Sequence, residues 1–300
     1  MLKIAYAKNY HHPLPVGHRF PMEKYSLLPE QLIYEGTINE ENLFQPSKMI
    51  EGDILNVHQK QYWEKLKELN LTKSEERKTG FPLSKELVER EITIMEGTKQ
   101  CALFALENGI AMNIAGGTHH AYTTHGEGFC LLNDNALAAK YLLKNNLAKK
   151  VLIVDLDVHQ GNGTAEIFKD DQSVFTFSMH GEKNYPMHKE NSDLDIELPD
   201  GTDDKFYLKT LRNTLPKLLD DFEPDFIFYQ CGVDIISSDK LGRLSCTIGG
   251  CKERDNIVLQ SCKTNNIPVV ASMGGGYSPN IKDIVEAHAN TYRLAQEIYF

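Results

Sequence analysis

The apolar run Val151-Leu152-Ile153-Val154 ends in Asp155-Leu156-Asp157-Val158-His159 and continues into Gly161-Asn162-Gly163-Thr164. Consecutive aliphatic residues without alternation read as a strand buried on both faces, the mark of a parallel sheet. Acids and a histidine at its C-terminal end lie where open α/β sheets place their ligands. Asp157 and His159 are two apart and share one face of an extended chain. A carboxylate beside an imidazole suits a divalent metal, zinc first.

Three further segments repeat the design. Ile110–Ala115 runs into Gly116-Gly117-Thr118-His119-His120. Phe226–Tyr229 runs into Gln230-Cys231-Gly232-Val233-Asp234, and Ile267–Ala271 into Met273-Gly274-Gly275-Gly276-Tyr277. If the four strands are parallel, their polar ends meet at one edge of the sheet, as a catalytic site requires. Asp157-Val158-His159 alone is better explained by a strand cap. The four converging exits favour a site.

Composition narrows the class. At 300 residues the chain suffices for one large α/β domain, and we read residues 1–300 as a single domain. Its net charge of −10 argues against direct nucleic-acid binding and is compatible with a cationic substrate. Six cysteines without a Cys-x-x-Cys pair point to a reduced, cytoplasmic protein. Cys130 and Cys231 read as small buried hydrophobes rather than nucleophiles. Met1–Tyr6 reads as a first strand, and no apolar stretch approaches the roughly 20 residues of a membrane span.

Helical spacing predicts helices over 86–108, 132–144, 203–221 (with Thr202 as N-cap), 250–264 and 281–299. The charged stretch 73–78 reads as an exposed loop, and 174–179 as a strand leading to His180. Strands and helices alternate from about residue 110 onwards, so the expected sheet is mainly parallel with helices on both faces.

Asp157, His159 and Asp234 supply three ligands and leave a fourth position for water or substrate. Two carboxylates would offset the charge of Zn²⁺ and weaken it as a Lewis acid. Tyr277, presented by a glycine triplet, then helps by donating to the oxyanion. One histidine of the His119-His120 pair is suited to move a proton, the other to orient it or add charge. Asp155 either holds a histidine through Nδ1, binds a monovalent cation, or braces the backbone. Gly128 and Phe129 can line a slot for an alkyl chain, with Tyr185 a similar candidate; Phe129 alone reads as core.

Together these segments resemble the zinc-dependent histone deacetylase family of the arginase–deacetylase superfamily. The segment Asp234–Ser245 looks most like its class IV branch and bacterial relatives. The resemblance implies a three-layer α/β/α fold with an eight-stranded, mainly parallel sheet. It implies that Asp157, His159 and Asp234 bind Zn²⁺, with Fe²⁺ also accepted. His120 would be the general base, His119 its electrostatic helper, and Tyr277 the group that polarises the carbonyl. Gly128, Phe129, Tyr185 and Gly275 would contact substrate. Asp155, Ser178 and the backbone carbonyls of Asp157, His159 and Met179 would form a structural K⁺ site. Asn162 stands where class I enzymes carry an aspartate beside the second histidine. The implied activity is removal of an acyl group from an acyl-lysine in a peptide or protein. A small acylated amine such as an acetylpolyamine is the runner-up substrate, and a non-catalytic acyl-lysine binding module the competing class.

Overall fold

The computed structural model describes residues 1–300. Its strands are β1 (Lys3–Ala5), β2 (Leu43–Phe44), β3 (Ile110–Asn113), β4 (Val151–Asp155), β5 (Val174–Gly181), β6 (Leu194–Leu198), β7 (Phe226–Gln230) and β8 (Val269–Ser272). They form one sheet in the order β2-β1-β3-β8-β7-β4-β5-β6, and every pairing is parallel. The helices are α1 (Lys24–Tyr34), α2 (Glu51–Ile54), α3 (Lys60–Lys67), α4 (Lys73–Thr79), α5 (Lys85–Asn108), α6 (Asp134–Lys144), α7 (Asn162–Phe168), α8 (Asp204–Phe222), α9 (Ile248–Thr264) and α10 (Ile281–Tyr299). α5, α6 and α7 pack together in one layer, and α1, α10, α9 and α8 in the other. This is the three-layer α/β/α arrangement expected. No helix is long and apolar enough to cross a membrane.

Sheet order explains the site. The four exits read from sequence belong to β3, β8, β7 and β4, which are consecutive in the sheet. These strands are buried throughout, so apolar side chains cover both faces. Their registers end together: Asn113 pairs with Ser272, Ser272 with Gln230, Gln230 with Asp155, and Asp155 with Ser178. A polar row therefore crosses five strands, and three of its members donate to groups above it. Asn113 donates to Thr98 Oγ1 (2.9 Å), Ser272 to Asp134 Oδ2 (3.0 Å) and Gln230 to Gly117 O (2.7 Å).

Arg254, on α9 and fully buried, ties two exits together. It donates to the carbonyls of Leu156 (3.2 Å), Cys231 (3.2 Å) and Gly232 (2.5 Å) and pairs with Asp255 at 2.7 Å.

Three local expectations need correction, and two strands add to those read from the sequence. The stretch 73–78 is helical, because Thr72 and Glu75 form a reciprocal capping box and Gly80 closes the C-terminus with φ +77°. The cap of α8 is Asp203, not Thr202: its side chain accepts from Phe206 N at 2.9 Å. α9 starts at Ile248, capped by Thr247. The edge strands β2 and β6 went unread, since β2 has two residues and β6 places Asp195 and Glu197 inside a short run.

Removing Arg254 leaves buried carbonyls and the Asp255 carboxylate without their donor. Arg254→Met is expected to cost about 3–5 kcal/mol by urea unfolding. Arg212→Met, at an exposed pair with Glu253, should cost less than about 1 kcal/mol.

His58 is buried, donates through Nδ1 to Tyr122 O (3.0 Å) and accepts Asn133 N at Nε2 (3.0 Å), so it is held neutral. Burial pushes it down to about 4. The unfolded chain binds this proton first, so the stability His58 contributes is complete above about pH 6.5 and is lost towards pH 4. That loss amounts to about 3 kcal/mol. His58→Gln should flatten this part of the stability–pH curve.

Candidate metal centre and proton-transfer site

Asp157 and His159 follow β4, and Asp234 follows β7. The three buried side chains bring their ligand atoms within 4.8 Å of one another. His159 Nδ1 lies 3.0 Å from Asp157 Oδ1 and 3.1 Å from Asp234 Oδ2. The carboxylates are held by backbone donors: Gly275 N on Asp157 Oδ2 at 2.8 Å, and Val158 N on Asp234 Oδ1 at 3.0 Å. Asp234 Oδ2 is buried and, although near His159, is out of line for a hydrogen bond. Two buried carboxylates this close demand positive charge. Burial, and then the Asp157 carboxylate, push Asp234 up to about 7. Burial alone would lower His159, yet Asp157 and Asp234 hold it up at about 10. An unpartnered carboxylate oxygen, a second carboxylate and an imidazole nitrogen facing one another fit a divalent cation. The close approach needs glycine, since a Cβ at Gly275 would collide with Asp234 and one at Gly232 with Asp157.

The histidine pair sits beside this cluster, with ring centres 4.1 Å apart. His119 Nδ1 is 2.6 Å from Asp155 Oδ2, and Asp155 Oδ1 accepts Asp157 N at 3.2 Å, so Asp155 both holds the histidine and braces the backbone. Burial disfavours charge on His119, but Asp155 and Asp157 outweigh it and raise its pKa. His120 Nδ1 is 2.6 Å from Asn162 Oδ1. Burial, then the imidazoles of His119 and His159, hold His120 well below the ordinary histidine range.

The Asn162 contact decides the tautomer of His120. Asn162 Nδ2 donates to Glu127 Oε1 (2.7 Å) and Tyr122 Oη (3.0 Å). Glu127 stays ionised: burial raises it, but the donors around it, His125 first, bring it below the usual range. Because the amide nitrogen faces acceptors, the amide oxygen must face His120. Nδ1 of His120 then carries the proton and Nε2 is bare, free to accept one.

The other expected residues fall around the same cleft. Tyr277 closes it from the β8 side, 5.8 Å from Phe129 and 6.3 Å from His159 between ring centres. Burial, and then Asp234 and Asp157, keep its hydroxyl protonated. Phe129 is both core and wall: it packs against Phe20 and Phe81 and lines the cleft. Tyr185 stands edge-on to His120 at 5.0 Å and is 38% exposed. Gly128 and Gly275 line the inner cavity, about 30 Å³, together with Tyr25, Arg90 and Ile94. Ser178 sits across from Asp155 in β5 and bonds His180 Nδ1 at 2.9 Å, so His180 stays apart from the ligand cluster. Burial pushes the Cys130 and Cys231 thiols well up, which leaves them inert.

Three residues escaped the sequence reading. Lys24 is buried with Nζ 3.1 Å from Gly274 O, and burial lowers it to about 8. Asp239 accepts Tyr277 N at 2.6 Å and so sets the tyrosine loop. Glu127 orients Asn162. Lysine is seldom buried, and the Glu127–Asn162 contact spans 35 positions, so no local pattern announces either.

Comparison with known proteins agrees with this geometry. The histone deacetylase domain description matches residues 18–292. An uncharacterized protein of Picosynechococcus sp. is 44% identical over 296 residues, which cover 99% of each chain. Histone deacetylase 2 of Arabidopsis thaliana is 30% identical over 269 residues, covering 87% of this chain and 70% of its own. The solved structure of an HDAC homolog complexed with SAHA aligns with a TM-score of 0.83 at 26% identity, covering 98% of this chain and 82% of that one.

The tautomer argument is testable by nitrogen-resolved NMR of the His120 ring. Glu127→Ala frees the Asn162 amide to turn over and should abolish the Nδ1–H signature. Glu127→Gln, whose amide oxygen still accepts, should retain it.

Proposed function

The chain belongs to the histone deacetylase family, and from that premise we propose that it is a metal-dependent amidohydrolase removing an acyl group from the ε-nitrogen of acyl-lysine. The carrying observation is that His120, Tyr277 and His159, the last a member of the Asp157–His159–Asp234 cluster, line a single cleft. We take residues 1–300 as one catalytic domain. The class IV assignment rests on Asp234–Ser245, while Asn162 in place of an aspartate sets the chain apart from class I. A cytoplasmic setting is supported by six free, buried cysteines.

Asp157, His159 and Asp234 would hold the cation, for which we propose Zn²⁺, with Fe²⁺ also compatible. When bound it supplies Lewis-acid polarisation and makes water more acidic. His120 Nε2 takes the proton of the attacking water, and the same imidazole later returns a proton to the departing amine. His119, held by Asp155, contributes positive charge beside the reacting carbonyl. Tyr277 donates its hydroxyl proton in a hydrogen bond to the carbonyl oxygen as negative charge grows there. Gly128, Phe129 and Tyr185 flank the lysine alkyl chain, and Gly275 approaches the reacting group without a side chain. Asp155, the Ser178 hydroxyl and the backbone carbonyls of Asp157, His159 and Met179 would be the protein's side of the proposed structural K⁺ site. The inner cavity of about 30 Å³ has room for one or two waters, which supports short acyl groups.

Zinc-loaded protein and lysine peptides carrying acetyl to myristoyl groups test this reading. Acetyl should be turned over fastest. Tyr277→Phe and His120→Ala should each lower kcat at least about 100-fold, the size of losing an oxyanion donor or a general base. Asp234→Ala should abolish zinc retention on dialysis while His120→Ala keeps it. Retained zinc without turnover of any acyl-lysine would instead favour a binding module.

A further inference from the structure

The mouth of the catalytic cleft carries charge opposite in sign to the chain as a whole. The cleft, about 380 Å³, is lined by Arg19, Arg77 and Lys78 beside His120, Phe129 and Tyr277, and no acid lines it. All three cations are exposed and none enters an ion pair, whereas Lys65, on the neighbouring helix, is paired with Glu75 at 2.6 Å. They are part of the cleft's construction. The carbonyls of Lys78 and Thr79, at the end of α4, accept Gly128 N (3.0 Å) and Phe129 N (2.8 Å). α4 is thereby fastened to the wall that flanks His120. The Arg19 guanidinium lies 5.1 Å from the centre of the Phe129 ring on the other side. Lys240 adds a fourth cation in the adjoining groove, about 950 Å³, where Glu23 is the one acid.

A cleft lined by one sign of charge concentrates ligands of the other. We propose that the substrate is an acyl-lysine flanked by acidic residues, whose carboxylates are received by Arg19, Arg77 and Lys78. This rests on the reading of the site as an acyl-lysine hydrolase and names its substrate class. Acetylpolyamines and basic histone-tail peptides would bring cations against cations. The net charge of −10 is a sum over the whole chain and does not describe the charge at the mouth.

The test uses the full zinc-loaded chain with acetyl-lysine peptides of equal length whose flanks are acidic, neutral or basic, and N-acetylspermidine alongside. We expect kcat/KM for acidic flanks to exceed that for basic flanks about tenfold at low salt, expressed mainly in KM. The ratio should shrink towards one near 0.5 M salt, where the Debye length falls to about 4 Å. In the double variant Arg77→Glu/Lys78→Glu the preference should vanish or reverse, judged against the neutral peptide in the same variant. Equal turnover of all flanks, or faster turnover of basic peptides or N-acetylspermidine than of acidic ones, overturns this inference and leaves the hydrolase reading standing. An acidic preference unchanged in the double variant overturns the assignment to Arg77 and Lys78. No turnover of any peptide overturns both readings.

Discussion

Everything at the centre of this molecule depends on holding the Asp157 and Asp234 carboxylates close together out of water. Isolated buried carboxylates shed their charge by taking up protons, so keeping two in contact requires compensation from every side. Backbone N–H groups of Gly275 and Val158 supply part of it, and the His159 imidazole lies between them. Arg254 acts one step further out, by gripping the carbonyls of Leu156, Cys231 and Gly232 and so fixing the two turns that carry the ligands. The set of donors left facing one another fits a divalent cation. The polar row at the sheet edge serves the same centre: Gln230 holds the glycine loop before His119 through Gly117 O, while Asn113 and Ser272 bond Thr98 of α5 and Asp134 of α6.

What was legible in the sequence follows from which forces are local. Strand exits are local: an aliphatic run that stops at an acid, a glycine pair or an amide shows itself in a few residues. Four such exits therefore located the site, and the resemblance supplied the sheet size. The helix over 73–79 was also written locally, in Thr72-Lys73-Ser74-Glu75, but charge density masked the capping box. Lys24, Glu127 and Asp239 were illegible for a different reason. Each acquires its function from a partner on another element: Gly274, Asn162 and the Tyr277 backbone respectively. Edge strands were missed because short, partly polar runs carry little periodic signal.

Charge illustrates the same distinction between global and local quantities. An acidic chain suggests attraction for cations at long range, but at physiological ionic strength a charge is felt over about 8 Å. A substrate entering the cleft therefore responds to Arg19, Arg77 and Lys78 rather than to the sum over 300 residues. Composition is a sound guide to non-specific association and a poor one to the chemistry of a particular opening.

The amide at Asn162 is the point where this site's chemistry departs from a carboxylate-paired one. A carboxylate on Nδ1 does two things to an imidazole: it fixes the tautomer and it stabilises the protonated ring. An amide oxygen does the first and little of the second, so the ring is oriented without being charged beforehand. An amide has a weakness the carboxylate lacks, because it can turn over and present its nitrogen, which would force the proton to the wrong side of the ring. Glu127 removes that freedom by accepting from the amide nitrogen, with His125 Nε2 3.7 Å away on its far side. The carboxylate has thus been moved one residue further from the ring. At that distance it governs orientation through a hydrogen-bond chain, while its influence on the basicity of His120 is weakened by the longer path.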